Sequence, residues 1–217
     1  MLHFYILFIL GDFMQLENLK MFKGIKISNY LEYFKFVTYN KEDMVFNEGA
    51  PCNHLSFILE GAVSIRTYSI NGKEEIINTL TEGELFGDII CFSENKSYIG
   101  HVIAERHSII AHITKENWLK ILSENQIILV HFIESITHKM YKTKLENKIL
   151  AHKNIEDRIY YYLNTQIKNP KNNYVNIKNV TALAKTLNLP RPSVSRSLTI
   201  MEEKGLIRRN KNRIEVL

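Results

Sequence analysis

Short apolar runs alternate with turn residues between positions 37 and 113. Two of these runs, residues 55–65 and 74–80, flank Asn71-Gly72, a dipeptide whose two residues tolerate the positive φ angles of hairpin turns. Glycines punctuate the rest of the segment, as expected where the chain turns tightly. Many short strands at close spacing predict a β domain of the sandwich or barrel-like kind.

A helical pattern replaces the strand pattern after residue 113. Residues 114–123 predict a short helix with Thr114 as its N-cap, because a threonine hydroxyl can accept a hydrogen bond from the first turn. Residues 126–151 contain neither Gly nor Pro and predict a long helix. Residues 155–167 predict a further amphipathic helix, and the segment around Pro170 ends it.

One stripe of the long predicted helix repeats at alternating spacings of four and three residues, which is a heptad pattern. Its first half is apolar and its second half is polar. The stripe either packs on the core of its own chain or forms a seam with a second copy, in which Asn147 sets the register at a cost in stability. Periodicity alone leaves both arrangements open, because each of them buries one stripe. The stripe consists of Leu129, Ile133, Ile136, Met140, Thr143, Asn147 and Leu150.

Residues 179–204 predict two short helices joined by a tight turn. Asn179 suits the N-cap of the first helix, and Asn188 can adopt the left-handed conformation that ends it. Pro190 and Pro192 fit a turn or a first helical turn, where a missing N–H is harmless. Together with exposed Arg and Ser at the start of the second helix, this predicts a helix-turn-helix. The apolar faces comprise Val180, Leu183, Ala184 and Leu187, then Val194, Leu198 and Met201.

Residues 205–216 predict a basic hairpin, or wing, with residues 210–212 at its turn. From Lys178 to Leu217 there are nine basic and three acidic residues, which gives this segment a net charge of +6. The net charge of the whole chain is +5. The preceding 177 residues therefore sum to −1. A near-neutral body with a basic tail suggests a nucleic-acid partner for the tail, although charge alone favours a solvated face.

The second helix of the helix-turn-helix is expected to enter the major groove of double-stranded DNA. Arg191 and Arg196 can each pair with guanine O6 and N7, and Ser193 and Ser195 can bond bases or phosphates. Basic residues of the wing are expected to neutralise phosphate, which positions the protein without reading the sequence. The candidate DNA-binding residues are Asn179, Thr181, Arg191, Ser193, Ser195, Arg196, Thr199, Lys204, Arg208, Arg209, Lys211 and Arg213.

Composition limits the class of protein further. With 217 residues, 45% of them hydrophobic, the chain can bury a core and is not generally disordered. Two cysteines exclude a disulfide scaffold and indicate a reducing compartment.

Residues 1–10 form an apolar run that is too short for a membrane-spanning helix, which needs about 20 residues, and the run lacks the features of a signal peptide. We interpret it as a packed N-terminal element or as an extension before a later start at Met14 or Met21, rather than as a membrane or partner anchor. No other segment has the pattern of a membrane span, so we expect a soluble, cytoplasmic protein with no membrane partner.

Four segments in order resemble the Crp/Fnr family of bacterial transcription regulators: LSFILEGAVSI (55–65), GELFGD (83–88), the long helix and RPSVSR (191–196). The resemblance covers residues 30–216. It implies an α+β fold: an N-terminal β-roll (a double-stranded β-helix or jelly roll) as sensor domain over residues 1–125, a dimerisation helix over 126–151 and a winged helix-turn-helix over 152–217. It also implies a homodimer on an inverted-repeat DNA site, control by a small effector, and RNA polymerase as a further partner.

We do not expect cAMP to be the effector, because this chain departs from the family at the residues that bind cAMP. Members that bind cAMP carry a Gly-Glu-Leu segment, whose Glu holds the ribose, and after a short helix an Arg-Ser pair, whose Arg binds the cyclic phosphate. This chain has Gly87-Asp88-Ile89 and Tyr98-Ile99 there, so the anion loses its bidentate partner, and Lys96 and Ser97 offer only a weaker cationic site. The candidate effector pocket therefore comprises Gly87, Asp88, Ile89, Lys96, Ser97, Tyr98 and Ile99, and the effector itself is not identified.

The recognition segment also departs from the family. It begins Arg191-Pro192, where members often have Arg-Glu, so the Glu that accepts a hydrogen bond from cytosine N4 is missing. The family's usual half-site is therefore not expected.

Other sensing chemistries follow from the cysteine and histidine counts. The family's four-Cys iron–sulfur cluster is excluded, because only Cys52 and Cys91 are present. Haem has weak support from His54, His101, His107 and His112 in the β region. An effector-independent regulator, or one controlled by the two thiols, with a degenerate pocket, is the alternative.

A cyclic-nucleotide-binding module of a channel or enzyme fits less well, because the tail carries a helix-turn-helix. No activated nucleophile, carboxylate pair or phosphate loop stands out, so the chain is not expected to be an enzyme. No cofactor is certain from the sequence.

Overall fold

The computed structural model describes residues 15–167 and 173–217. The apolar run at residues 1–10, Met14 and the break around Pro170 lie outside these ranges. The chain divides into two compact units, Met1–Ile136 and Thr137–Leu217. No helix within the described ranges combines the length and apolarity needed to cross a membrane.

The first unit is built on two four-stranded antiparallel sheets. The first sheet has the strand order β1-β8-β3-β6 and the second β2-β7-β4-β5, which confirms the predicted sandwich-like β domain. The strands are β1 (Phe34–Tyr39), β2 (Met44–Phe46), β3 (His54–Glu60), β4 (Ala62–Tyr68), β5 (Glu74–Thr81), β6 (Leu85–Phe86), β7 (His101–Ala104) and β8 (Ser108–Thr114).

The hairpin between β4 and β5 confirms the turn predicted at Asn71-Gly72, with one difference in its geometry. The amide of Gly72 donates to the carbonyl of Ser69 at 2.8 Å, and the amide of Ser69 donates to the carbonyl of Lys73 at 2.9 Å. Gly72 has a φ of 70°, whereas Asn71 is not among the residues with positive φ. The loop is therefore longer than a two-residue turn, and only its glycine needs the left-handed region.

Helices cover one sheet of this unit. Two 3₁₀ segments (Lys20–Phe22 and Ile27–Tyr33) precede the strands, and three helices follow or interrupt them: α1 (Asp88–Phe92), α2 (Lys115–Glu124) and α3 (Gln126–Ala151). The hydroxyl of Thr114 accepts from the amide of Asn117 at 3.2 Å, which confirms the predicted N-cap of α2. The core of this unit contains many aliphatic side chains and an aromatic cluster of Phe22, Phe34, Phe57, Trp118 and Phe132.

The second unit contains a three-helix core and a small sheet. After the end of α3 come α4 (Ile155–Gln166), β9 (Tyr174–Asn176), α5 (Val180–Thr186), α6 (Arg191–Glu203), β10 (Ile207–Asn210) and β11 (Arg213–Val216). The sheet has the order β10-β11-β9 and is antiparallel. The predicted helix-turn-helix and wing are therefore confirmed as elements, and β9 is a third strand that the sequence pattern did not predict.

Capping fixes the geometry of the helix-turn-helix. The side chain of Asn179 accepts from the amide of Ala182 at 2.8 Å, as predicted for the N-cap of α5. Asn188 has a φ of 51°, and the amide of Leu189 donates to the carbonyl of Ala184 at 2.9 Å, so α5 ends in a Schellman motif. The turn between the two helices is thus closed by backbone hydrogen bonds.

Candidate DNA-binding surface and effector region

Helix α6 has one buried and one exposed face. Val194, Leu198 and Met201 are fully buried in the core of the second unit, as predicted. Arg196 is exposed on the other side, Arg191 is exposed as the first residue of the helix, and Ser193 and Ser195 are partly exposed. The packing of the helix therefore leaves both candidate base-reading arginines open to solvent.

A carboxylate outside the helix-turn-helix anchors α6. Ser197 is buried, and its hydroxyl donates to Oε1 of Glu156 at 3.0 Å. Glu156 lies in the first turn of α4, where Asn154 caps the helix by accepting from the Glu156 amide at 3.0 Å. This contact links two elements 41 residues apart in the sequence, and no local pattern predicted it.

The basic residues of the wing differ in their partners. Arg208 forms an exposed pair with Glu215 at 3.4 Å, and the guanidinium of Arg213 lies 3.4 Å from the centroid of the Tyr174 ring. Lys211 occupies the turn of the hairpin with a φ of 50° and has no hydrogen-bond or ion-pair partner among the described residues. The ammonium group of Lys211, at the tip of the wing, is therefore available to bind a phosphate.

Arg209 is held by an acid of the recognition helix. Its amide and Nε both donate to the carboxylate of Glu202 at 2.8 Å, and its Nη2 lies 2.7 Å from Glu202 Oε2. The same Nη2 donates to the hydroxyl of Thr199 at 3.3 Å. These bonds from the backbone and side chain of Arg209 lower the pKa of Glu202. The sequence interpretation treated Arg209 only as a phosphate contact and did not predict this pair.

The remaining candidate DNA contacts lie in exposed positions. Thr181 is exposed in the first turn of α5, and Lys204 is exposed at the end of α6. Among the described residues, no hydrogen bond or ion pair engages the side chains of Arg191, Arg196 and Lys204.

The two units differ more in net charge than the last 40 residues differ from the rest of the chain. Residues 137–217 contain 17 Lys and Arg against 6 Asp and Glu, a net charge of +11. Residues 1–136 contain 11 against 17, a net charge of −6. The unit with the helix-turn-helix is therefore strongly basic and the β unit is acidic.

The heptad stripe of α3 is only partly covered. Leu129 and Ile136 pack at the edge of the first unit's core, whereas Ile133 and Met140 each remain 54% exposed. Thr143 and Asn147 are exposed, as is Leu150 at the end of the helix. The uncovered apolar surface is wider than the stripe and also includes Ile127, Val130 and Tyr141.

The predicted effector residues occupy α1 and the segment that follows it. Gly87 turns the chain into α1 with a φ of 79°, and a side chain there would meet the carbonyl oxygen of His54 at 2.5 Å. Asp88 is buried, whereas Ile89 and Ile99 are more than half exposed. Lys96 is exposed and Ser97 partly exposed, in a bridge to Pro51. Residues 87–99 thus combine a buried carboxylate with exposed apolar side chains, and the sequence of this segment contains no arginine.

Tyr98 points into the aromatic core. It is buried and stacks on Phe46. Its hydroxyl lies against the Cys52 thiol without a hydrogen bond of regular geometry, and burial, followed by this thiol, raises its pKa. Tyr98 is therefore a residue of the core, at the position where the sequence comparison with cAMP-binding members expected an arginine.

A buried histidine lies between the two sheets. His112 of β8 is hydrogen-bonded through Nδ1 to the Ser56 hydroxyl at 2.8 Å and through Nε2 to the Tyr39 hydroxyl at 3.1 Å. Phe46 of the opposite sheet meets its ring edge-on. Burial lowers the pKa of His112 to about 4, so the ring is neutral at physiological pH. No group of three or more metal-ligating side chains converges within the described ranges.

Arg66 is the one buried arginine within the described ranges. Its guanidinium forms ion pairs with Glu42 at 3.1 Å, Glu74 at 3.3 Å and Glu105 at 2.8 Å, and Nε donates to the Ser64 hydroxyl at 2.7 Å. Hydrogen bonding to Glu42, followed by the other two carboxylates, raises the pKa of Arg66. Because its donors are already taken, Arg66 is not available to a ligand phosphate.

The two cysteines are buried thiols close to Gly87. The thiol of Cys52 lies 3.5 Å from the Gly87 carbonyl, which also accepts from the amide of Cys91 at 2.8 Å. Burial raises the pKa of both thiols and favours their protonated form. The structure therefore gives neither thiol the exposure or the lowered pKa that reactive cysteines have.

Several known proteins resemble this chain in sequence. Residues 36–125 match the cyclic nucleotide-binding domain family. The Cyclic AMP receptor protein of Thermus thermophilus is 23% identical over 188 residues, which are 86% of this chain and 85% of that protein. The Global nitrogen regulator of Nostoc is 24% identical over 186 residues, 82% of this chain and 83% of the relative. The chain is homologous to the Crp/Fnr regulators.

A solved structure confirms the fold of this Crp/Fnr homologue. The c-di-GMP responsive global regulator CLP of Xanthomonas campestris superposes with a TM-score of 0.55 at 20% identity, over 88% of this chain and 97% of that chain. A further relative, of Pasteurella multocida, is named a cAMP-activated global transcriptional regulator and is 22% identical over 65% of this chain and 68% of that protein. The family match contains the candidate effector residues from Gly87 to Ile99, and helix α6 lies outside it.

Proposed function

We propose that this Crp/Fnr homologue is a homodimeric, sequence-specific DNA-binding regulator whose two copies of α6 read the half-sites of an inverted repeat. The observation that carries the proposal is the exposure of Arg191 at the start of α6 and of Arg196 on its open face, neither of which has a hydrogen-bond or ion-pair partner among the described residues. Unpaired guanidinium groups beside a major groove can bond guanine bidentately. The net charge of +11 on this unit supplies the sequence-independent part of the affinity.

The uncovered face of α3 supports a dimer. Ile133 and Met140 are each 54% exposed, and Ile127, Val130 and Tyr141 extend the apolar surface along the helix. Exposed apolar residues in a heptad pattern are typical of a helix that pairs with another helix. The occupant we propose is α3 of a second copy, because a twofold dimer also supplies the second reading helix that an inverted repeat requires.

The proposal gives each of three segments of the chain its own role. We assign sensing to residues 1–125, dimerisation to residues 126–151 and DNA binding to residues 152–217. We include RNA polymerase as a further protein partner, because the resemblance to the Crp/Fnr family implies it.

For the sensor, we favour an effector other than cAMP. One relative is named a cyclic AMP receptor and a structural neighbour is described as responsive to c-di-GMP, so related proteins respond to different ligands. In this chain Tyr98 stands in the core where an anion-binding arginine is expected, and Arg66 is committed to three carboxylates. These observations disfavour a cyclic phosphate as the bound group.

DNA selection tests the proposal. The purified full-length protein is incubated with a random duplex library, and the enriched sequences are measured at several salt concentrations. An inverted repeat with two half-sites, bound with strongly salt-dependent affinity by one dimer, supports the proposal. Equal affinity for all sequences, or no binding at low salt, overturns it. Adding cAMP to the selected duplex should leave its affinity unchanged.

A further inference from the structure

Glu202 is an acid on the surface that is proposed to face DNA. It lies near the end of α6, three residues beyond Thr199 and seven before Arg209. DNA repels a carboxylate, so a carboxylate at this surface weakens binding unless it serves another role. The next residue, Glu203, carries the same charge, is exposed, and has no hydrogen-bond or ion-pair partner among the described residues.

The contacts of Glu202 indicate such a role. Oε1 accepts from the Arg209 amide at 2.8 Å, and Oε2 accepts from Nε at 2.8 Å and lies 2.7 Å from Nη2. One carboxylate therefore fixes both the backbone of β10 and the plane of the guanidinium. Thr199 adds a bond to Nη2 at 3.3 Å while its own hydroxyl donates to the Ser195 carbonyl at 3.2 Å.

The arrangement leaves one edge of the guanidinium unbound. A guanidinium has five N–H donors in a rigid plane, and those on Nε and Nη2 point to Glu202 and Thr199. Nη1 has no hydrogen-bond partner among the described residues, and the Arg209 side chain is 30% exposed. An arginine held in this way keeps two donors in a fixed direction, which reduces the conformational entropy lost when they bond a phosphate.

We propose that Glu202 is a positioning residue for DNA binding, which clasps the wing to the recognition helix and directs the free edge of Arg209 to a backbone phosphate. The inference rests on the proposed DNA-binding function. It predicts a change in DNA affinity opposite to the change that charge repulsion alone predicts. Removing the negative charge of Glu202 should weaken DNA binding, although removing a negative charge near DNA ordinarily strengthens it.

The test compares Glu202→Gln with Glu203→Gln in the full-length protein, on its selected duplex, over a series of salt concentrations. Glu202→Gln is expected to weaken binding about threefold to tenfold and to reduce the slope of log affinity against log salt by about 1, and the same is expected of Arg209→Ala. Glu203→Gln is expected to strengthen binding about twofold. Glu202→Asp keeps the charge but shortens the reach, so it should also weaken binding.

Further measurements separate positioning from a loss of fold. Circular dichroism and thermal melting of each variant show whether the second unit is intact, and the Arg209→Ala background shows whether Glu202 acts through Arg209. In that background Glu202→Gln should no longer weaken binding. If Glu202→Gln strengthens binding as Glu203→Gln does, or weakens it equally with and without Arg209, the inference is wrong while DNA binding stands. A wild-type protein that binds no duplex overturns the proposed function and this inference together.

Discussion

The ring of Tyr98 lies nearly parallel to that of Phe46, with 4.5 Å between the centroids and 13° between the planes. Phe46 also meets His112 edge-on, with the ring centroids 5.6 Å apart. Tyr98 is therefore part of a continuous aromatic and polar packing between the two sheets. We therefore expect the ring of Tyr98 to contribute to the stability of this core.

Substituting Tyr98 should separate the contribution of the ring from that of the hydroxyl. Tyr98→Ala is expected to lower the free energy of unfolding by about 3–5 kcal/mol, because it empties an aromatic site in a packed core. Tyr98→Phe keeps the stacked ring and removes a hydroxyl without a regular partner, so the change should stay below about 1 kcal/mol. Urea unfolding followed by circular dichroism measures both. A large loss in the Phe variant would show that the hydroxyl, rather than the ring, holds Tyr98.

Charges on the exposed face of α3 should dissociate the dimer. Ile133→Glu and Met140→Glu place carboxylates on the proposed seam, so sedimentation equilibrium should show folded monomers. Ile70→Glu is the matched control, since Ile70 is an equally apolar, fully exposed residue at the tip of the β4–β5 hairpin. Dimers that persist in both seam variants would contradict the assignment of this face.

Arg196 and Lys211 should contribute to DNA binding in different ways. Arg196→Ala is expected to cost about 1–3 kcal/mol on the selected site and to relax the base preference at one position. Lys211→Ala should weaken all sequences alike and reduce the salt slope by about 1, because a phosphate contact carries no sequence information. Binding titrations on selected and scrambled duplexes measure both effects. Identical behaviour of the two variants would contradict the division into reading and positioning residues.

Acid should destabilise the β unit through His112. The pKa of His112 is about 4 in the folded protein, because of burial, and near 6.5 in the unfolded chain. Between these values the unfolded chain binds the extra proton, so stability is fully present above pH 6.5 and is lost as the pH falls towards 4. From pH 7 to pH 5 the free energy of unfolding should fall by about 2 kcal/mol.

Variants at two histidines test this assignment. His112→Gln should remove most of the loss between pH 7 and pH 5, even if it is less stable at pH 7 because two hydrogen bonds are gone. His107→Gln alters an exposed histidine and should leave the loss in place. Chemical unfolding at the two pH values gives the comparison. An unchanged loss in His112→Gln would assign the titration to another group.

Local signals in the sequence predicted the elements of this fold well. The absence of Gly and Pro gave the bounds of α3, and side-chain caps gave the starts of α2 and α5 at Thr114 and Asn179. Each of these signals lies within a few residues of the element that it determines, so one sequence is enough to find it.

Contacts between distant residues were not predictable in the same way. His112 and Ser56 are 56 residues apart and meet because β8 pairs with β3, and Arg66 meets acids from three other segments. The pair of Glu202 and Arg209 spans a turn, and its only signal in the sequence is an acid within a basic tail. The spacing of hydrophobic residues predicts which face of a helix or strand is buried. It does not predict which polar side chains from other elements meet on that face.

The opposite charges of the two units affect how the molecule approaches DNA. A chain with +11 on one unit and −6 on the other has an electric dipole, and the field of a polyanion exerts a torque on it. The basic unit turns towards the duplex and the acidic unit turns away before any contact forms. A larger fraction of diffusional encounters is then correctly oriented, so added salt should slow association far more than it changes dissociation.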